Sequence, residues 1–223
     1  MVSLMVGCGD GDHATTSDTT QKTGSTSPAP RANTRRGVFP DARTTDYDAV
    51  AGEYAAGRRP ELRDPIALAT SYARDLFSQR TGQPAEVSVV DSPNLDVPGL
   101  TELDFKISIA NRPELMGAIS LERYGGASGF WYVTSVLSKV FTPLDVELDG
   151  SKFTGKLVSS VAGRAQVRVR GIQSKSLARD DAQDVGIHGS LSLDAAIDDP
   201  FGALVDVSMQ APDGAVYLAL LTF

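Results

Sequence analysis

The chain has only one cysteine in its 223 residues, Cys8, so no disulfide can form within it. It has two histidines, and His188 has no cysteine or second histidine near it in the sequence to complete a zinc site. No apolar run reaches the roughly 18 residues of a transmembrane helix. A Gly-x-Ser-x-Gly nucleophile motif is also missing. These absences argue against a disulfide scaffold, a zinc enzyme and a serine hydrolase.

Basic residues are few as well. The chain has 21 Lys and Arg against 28 Asp and Glu, a formal net charge of -7. Phosphate backbones repel a chain with this negative charge, and no stripe of basic residues offsets the repulsion. We therefore expect no nucleic-acid partner. Acidic residues at 145–149 precede Gly150 as in a calcium loop, but Lys156 stands where that pattern requires Glu. We therefore predict no metal site and no cofactor.

Cys8 follows Leu4, Met5, Val6 and Gly7. Apolar residues and one small residue before a cysteine resemble the lipobox of bacterial lipoproteins, in which the thiol receives diacylglycerol and the cysteine becomes the first residue after cleavage. Only seven residues precede Cys8 and none is basic, whereas a secretory signal has a charged start and about 7–15 apolar residues. We therefore predict that residues 1–8 are the end of a truncated lipoprotein signal and that Cys8 is acylated, for example with palmitate. The alternative is a chance motif in a cytosolic protein.

Residues 9–45 are mostly Gly, Ser, Thr, Asp, Pro and Ala, without a helical or strand period. Such a segment cannot bury enough apolar surface to offset the entropy lost on ordering. We predict a disordered tether, as is common between the acylated cysteine and the first domain of lipoproteins. The protein would then be held on the extracytoplasmic face of the cell membrane by lipid on Cys8.

A first folded unit is predicted over residues 46–140. Asp64 and Pro65 are typical of a helix start and Gly82 of a helix end, and apolar residues recur at helical spacing between them. Segments of alternating apolar residues follow at 103–109, 116–124 and 130–137. We expect a helix packed on an antiparallel sheet, an α+β arrangement.

The order of these elements, together with Trp131, Val133 and Val136 in a W-x-V-x-x-V pattern, resembles the cystatin-like and nuclear-transport-factor-2-like folds of secreted actinobacterial proteins. This resemblance implies no catalytic residue, but such folds often enclose an apolar pocket between helix and sheet. Four aromatic residues could line such a pocket or could simply fill the core: Tyr72, Phe105, Trp131 and Tyr132.

Residues 141–223 lack a helical period and contain six or seven short apolar runs separated by turn signals. This pattern predicts an all-β sandwich of immunoglobulin type. The runs include Leu144, Val146 and Leu148, and Arg168 and Arg170 on either side of Val169 are expected to face solvent. The sequence "AQVRV" at 165–169 and the glycines at 155, 163, 189 and 214 resemble the immunoglobulin-like domain of bacterial spore-germination proteins and actinobacterial envelope proteins.

That resemblance implies a non-enzymatic role in binding or assembly. We therefore predict a lipid-anchored protein of the cell envelope that is not an enzyme and that binds an envelope protein or a glycan. Two alternatives stay open. The first unit could carry a small hydrophobic or lipid ligand, or two carboxylates that meet in space could make an envelope enzyme.

Overall fold

The computed structural model describes residues 36–41, 43–91 and 99–223. Cys8, the predicted lipidation site, and most of the predicted tether lie outside these residues. The described chain is mainly antiparallel β-sheet with a small helical part, as the sequence predicts.

Two α-helices lie close together in the sequence. Helix α1 spans Tyr47–Ala55, and helix α2 spans Pro65–Thr81 after a short 3-10 helix at Pro60–Leu62. The Asp64 carboxylate accepts hydrogen bonds from the first free backbone N–H groups of α2. Gly82 ends α2 in the left-handed conformation (φ 68°), which glycine adopts without steric cost. Both predicted ends of this helix are therefore confirmed.

Twelve strands follow within the described residues. Their bounds are β1 Ala85–Asp91, β2 Leu100–Ile109, β3 Leu115–Tyr124, β4 Phe130–Ser138, β5 Phe141–Asp149, β6 Lys152–Ser159, β7 Gly163–Gly171, β8 Arg179–Val185, β9 Ser190–Ser192, β10 Ala195–Ala196, β11 Ala203–Gln210 and β12 Val216–Thr222. The predicted strands near 103–109, 116–124 and 130–137 correspond to β2, β3 and β4.

Eight strands form one large antiparallel sheet in the order β1-β2-β3-β4-β12-β11-β7-β8. The smaller sheet has the order β10-β6-β5, with β9 also paired to β6. The junction of the large sheet is the pairing of β12 with β4, where Ala219, Leu220 and Leu221 lie opposite Leu137, Val136 and Ser135. The large sheet therefore runs through both predicted units, across the boundary predicted between residues 140 and 141.

The two faces of the large sheet belong to two different hydrophobic cores. In β12, Leu218 and Leu220 belong to the first core, and Ala219 and Leu221 belong to the second. This alternation follows from the strand geometry, because successive side chains point to opposite faces.

The first core holds the helices and the second holds the smaller sheet. Helix α2 contacts strands β1 to β4, and the rings of Phe77 and Phe105 meet edge to face at 6.3 Å. The second core joins Phe153 and Leu157 of β6 to Val205 of β11, so two sheets share a core as in a β-sandwich.

Strand β5 departs from the predicted alternation. Leu144 was expected to point inward with Val146 and Leu148, but its side chain is 46% exposed. The register of β5 on β6 shifts between Leu144 and Glu147, and Asp145 adopts a positive φ of 51°. A bulge of this kind inserts an extra residue, so the side chains before it change face.

The junction between β4 and β12 generates the first prediction. The Leu218 N–H donates to the buried Ser138 hydroxyl at 2.9 Å. In Ser138→Ala this N–H loses its acceptor, so we expect the free energy of unfolding to fall by about 1–3 kcal/mol, the cost of an unpaired buried polar group. Urea unfolding followed by circular dichroism measures the change.

Ser208→Ala is the matched control, because Ser208 lies in the same sheet and its half-buried hydroxyl makes no side-chain hydrogen bond with the described residues. Its stability should stay within about 0.5 kcal/mol of the parent chain. Equal stability of Ser138→Ala and Ser208→Ala would contradict the importance of the Ser138 bond.

Candidate functional site

A cleft of about 490 Å³ lies on the helix-bearing face of the large sheet. We call it the cleft. Its walls come from the segment before α1, from α2, from β7 and the loop after it, and from β11 and β12. The lining residues are Gly37, Val38, Asp41, Arg43, Tyr72, Leu76, Gln79, Arg80, Arg168, Arg170, Ile172, Lys175, Leu177, Leu204, Asp206 and Leu220.

One wall of the cleft is the extended segment 36–41, which we call the strap. The Val38 N–H donates to the Val133 carbonyl at 2.7 Å, and the Val133 N–H donates to the Phe39 carbonyl at 2.8 Å. The buried Tyr47 hydroxyl donates to the Pro40 carbonyl at 2.7 Å and accepts from the Gly37 N–H at 3.1 Å. Strand β4 and helix α1 together therefore fix the strap beside the cleft.

Arg36 anchors the start of the strap through aromatic rings. Its guanidinium carbon lies 4.7 Å from the ring centre of Tyr47, 5.4 Å from that of Tyr124 and 5.5 Å from that of Phe201. Its buried Nε and Nη1 atoms have no hydrogen-bond partner among the described residues. Attraction between the cation and the ring faces is therefore an important part of what holds this side chain.

The floor of the cleft is apolar. Leu76 of α2, Ile172, Leu204 of β11 and Leu220 of β12 all lie in the first core, and each exposes less than a tenth of its surface. Each of these residues therefore contributes a small apolar area to the floor of the cleft. Such a surface favours contact with apolar groups of a ligand.

Tyr72 contributes a polar group to this apolar lining. Its ring stacks at a tilt on Phe39 of the strap, with ring centres 5.1 Å apart. Its hydroxyl forms no hydrogen bond with the described residues, and burial raises its pKa well above the usual value. The phenol therefore stays neutral at physiological pH and is free to donate a hydrogen bond to a ligand.

Both carboxylates of the cleft already bind arginines. Arg43 contacts Asp41 at 2.6 Å, and Arg80 contacts Asp206 at 2.6 Å. The hydrogen bonds from Arg43 hold the pKa of Asp41 below its ordinary value, although partial burial opposes them. These carboxylates therefore compensate two of the cations that line the cleft.

Three further cations line the cleft. Arg168 reaches Asp180 outside the cleft at 3.3 Å, whereas Arg170 and Lys175 form no salt bridge with any described residue. The Nη1 of Arg170 instead donates to three backbone carbonyls, those of Gly171 at 3.1 Å, Ile172 at 2.9 Å and Ser174 at 3.2 Å. The expectation that Arg170 faces open solvent is therefore wrong, because the loop after β7 folds over its guanidinium.

The structure separates the four aromatic residues of the predicted pocket. Only Tyr72 lines the cleft. Phe105, Trp131 and Tyr132 expose 5% or less of their surface and belong to the first core. Phe105 packs on Phe77, and Arg123 stacks over Trp131 with its guanidinium carbon 4.6 Å from the ring centre.

Sequence reasoning missed the basic residues of the cleft. Arg168 was expected only to face solvent, and neither Arg80 nor Arg168 lies in a motif that marks a binding site. Helix α2 and strand β7 are about 90 residues apart in the sequence. Only the tertiary fold brings them together, so no local spacing could have revealed the cleft.

No group of three or more His, Cys, Asp or Glu side chains is placed to hold a metal ion in the described part of the chain. None of its helices is both long enough and apolar enough to cross a membrane.

Comparisons with known proteins add no function by similarity. No family model, no curated protein and no solved structure was found to match the chain. The predicted resemblances to envelope lipoproteins and to immunoglobulin-like domains therefore stay predictions.

The ion pair at the rim of the cleft generates a prediction on pH. Because Arg43 lowers the pKa of Asp41, the carboxyl should titrate below its ordinary value of 3.8, and in Arg43→Gln its pKa should rise toward that value. The pair stabilises the folded state above about pH 4, and this contribution is lost as the pH falls through the lowered pKa. Carbon-13 NMR of the carboxyl group measures both values.

Arg63→Gln is the control for this titration. Arg63 is exposed and does not line the cleft, so its loss should leave the pKa of Asp41 unchanged. An Asp41 carboxyl with the same pKa in the parent chain and in Arg43→Gln would show that the pair does not form in solution.

Proposed function

We propose that this chain is a non-catalytic binding protein that takes a small ligand in the cleft and is held at the cell envelope by lipid on Cys8. The observation that supports the binding role is the cleft itself, a cavity of about 490 Å³ that combines an apolar floor with a wall of charged and polar side chains. Cavities of about 300–1,000 Å³ are typical of small-ligand sites, so the size of the cleft supports this role.

The same residues argue against catalysis by paired carboxylates. An acid catalyst needs a carboxyl group whose pKa is raised toward neutral pH. In the cleft, Asp41 has a lowered pKa and Asp206 is bound to Arg80. Of the three functions predicted from the sequence, the binding of a small ligand is therefore better supported than an envelope enzyme.

Binding of an envelope protein by strand addition has less support at one edge of the large sheet. The side chain of Gln183 in β8 donates to the Ser192 carbonyl and accepts from the Ser192 N–H, both at 3.0 Å. Arg179 of β8 also donates to the Asp194 carbonyl. These bonds hold residues 192–194 beside β8, which leaves less room there for a partner strand.

We also propose the finer fold assignments made from the sequence. The two sheets that share the second core support an immunoglobulin-like sandwich in residues 141–223, and α2 against β1 to β4 supports a cystatin-like or nuclear-transport-factor-2-like unit in residues 46–140. The pairing of β12 with β4 would then fuse these two units through a shared sheet.

The location of the protein rests on the sequence of its first residues. Leu4 to Gly7 before Cys8 match a lipobox, and the polar residues after Cys8 suit a tether between a lipid anchor and a folded body. A ligand-binding body on such a tether would work within reach of the membrane surface.

Filling the cleft tests the binding role. The uncharged dye N-phenyl-1-naphthylamine should gain fluorescence with the parent chain, because it leaves water for the apolar floor. Leu204→Trp places a larger side chain on that floor, and Leu177→Trp adds bulk at a position that is 44% exposed and therefore tolerant. We expect each to weaken dye binding at least fivefold in a fluorescence titration.

Leu144→Trp is the matched control, since Leu144 is 46% exposed on β5 and does not line the cleft. Its dye affinity should equal that of the parent chain. If the dye binds all four proteins equally, or binds none of them, the cleft is not a ligand site.

The anchor is tested by labelling cells with an alkyne analogue of palmitate. The parent protein, expressed with its native upstream sequence, should incorporate the label and fractionate with membranes. The Cys8→Ala variant should lose the label and should no longer fractionate with membranes, because only the thiol at residue 8 can form the thioether. A free thiol at Cys8 together with a cytosolic parent protein would contradict the proposed location.

A further inference from the structure

The cleft differs in charge from the protein around it. Five of its lining side chains are basic (Arg43, Arg80, Arg168, Arg170 and Lys175), and two are acidic, whereas the whole chain has a formal net charge of -7. A cavity whose sign opposes that of the rest of the protein attracts anions from a surrounding that otherwise repels them.

The cations without a carboxylate partner define where an anion would bind. Arg43, Arg80 and Arg168 are each paired with an aspartate, so Arg170 and Lys175 remain without a salt bridge to the described residues. Arg170 is partly buried, its Nη1 donates to backbone carbonyls, and the carboxylates of Asp41, Asp206 and Asp199 act on it without forming a salt bridge. A partly buried cation of this kind is stabilised further when an anion binds beside it.

An inorganic anion would leave most of the cleft unused. Val38, Leu76, Ile172, Leu177, Leu204 and Leu220 present apolar surface in the same cavity, and the Tyr72 hydroxyl offers one more hydrogen bond. A ligand that uses both surfaces has an acidic group and an apolar part. Burying that part gains about 25 cal/mol for each Å² of apolar surface removed from water.

Resting on the proposed function that the cleft binds a small ligand, we infer that this ligand is a single-chain amphiphile with an acidic headgroup. The headgroup, a carboxylate or a phosphate, binds beside Arg170 and Lys175, and the chain lies on the apolar floor. The two headgroups share this chemistry because each presents anionic oxygens to guanidinium and ammonium donors.

The test compares ligands that share one chain and differ in headgroup. Dodecanoate, dodecyl phosphate and uncharged dodecanol are titrated against the full chain below their micelle concentrations, with displacement of N-phenyl-1-naphthylamine as the signal. We expect at least one anion to bind tenfold or more tightly than dodecanol, and the tighter anion identifies the headgroup. Raising the salt concentration should reduce this preference, because salt screens the attraction.

Substitutions assign the preference to the two cations. Arg170→Gln and Lys175→Gln should each weaken the preferred anion about tenfold or more while changing dodecanol less than twofold. Lys175 is exposed and forms no hydrogen bond or salt bridge with the described residues, so Lys175→Gln should keep the fold even if Arg170→Gln does not. Arg170→Lys keeps the charge and should retain the preference for an anion.

Arg74→Gln is the matched control, because Arg74 is exposed on α2 and does not line the cleft. It should bind all three compounds like the parent chain. Tight binding of dodecanol without any preference for an anion would overturn this inference and leave the proposed function intact, whereas binding of neither the dye nor any of the three compounds would overturn both. Displacement of the dodecyl anion by millimolar inorganic phosphate would overturn the role of the apolar chain.

Discussion

The pairing of β12 with β4 is the contact on which the rest of this structure depends. It joins strands from the two halves of the chain into one sheet. Two hydrogen bonds stabilise it: the Leu218 N–H donates to the Ser138 hydroxyl, and the Thr222 hydroxyl donates to the Thr134 carbonyl. Because side chains of β12 point alternately into the first and the second core, a change in its register would disturb both cores at once.

The cleft is a consequence of the same joint. Helix α2 covers the half of the sheet from β1 to β4, while Leu204 of β11 and Leu220 of β12 lie beyond it on the same face. The strap and the loop after β7 close part of the remaining space, and basic side chains from α2 and β7 converge there. An acidic protein thereby encloses a small basic cavity with an apolar floor.

Local signals predicted local structure well. Asp64, Pro65 and Gly82 fix the ends of α2 through hydrogen bonds and a backbone conformation that need no distant partner, and most strands show their alternation directly. The exposure of Leu144 could not be predicted, because a bulge is a property of two paired strands. The burial of Arg170 depends on the loop after β7, whose carbonyls accept its hydrogen bonds. The cleft depends on the order of the strands in the sheet, and a single sequence does not reveal that order.

The central position of β12 has a consequence for biosynthesis. Leu218 and Ser138 are 80 residues apart in the sequence, so the ribosome completes β1 to β4 long before their neighbour exists. Until residues 216–222 emerge, β4 and β11 each expose an unpaired edge to other chains, and the pairing that closes the sheet spans a long loop, which slows folding. The hazard of aggregation through these two edges therefore falls only when β12 is in place.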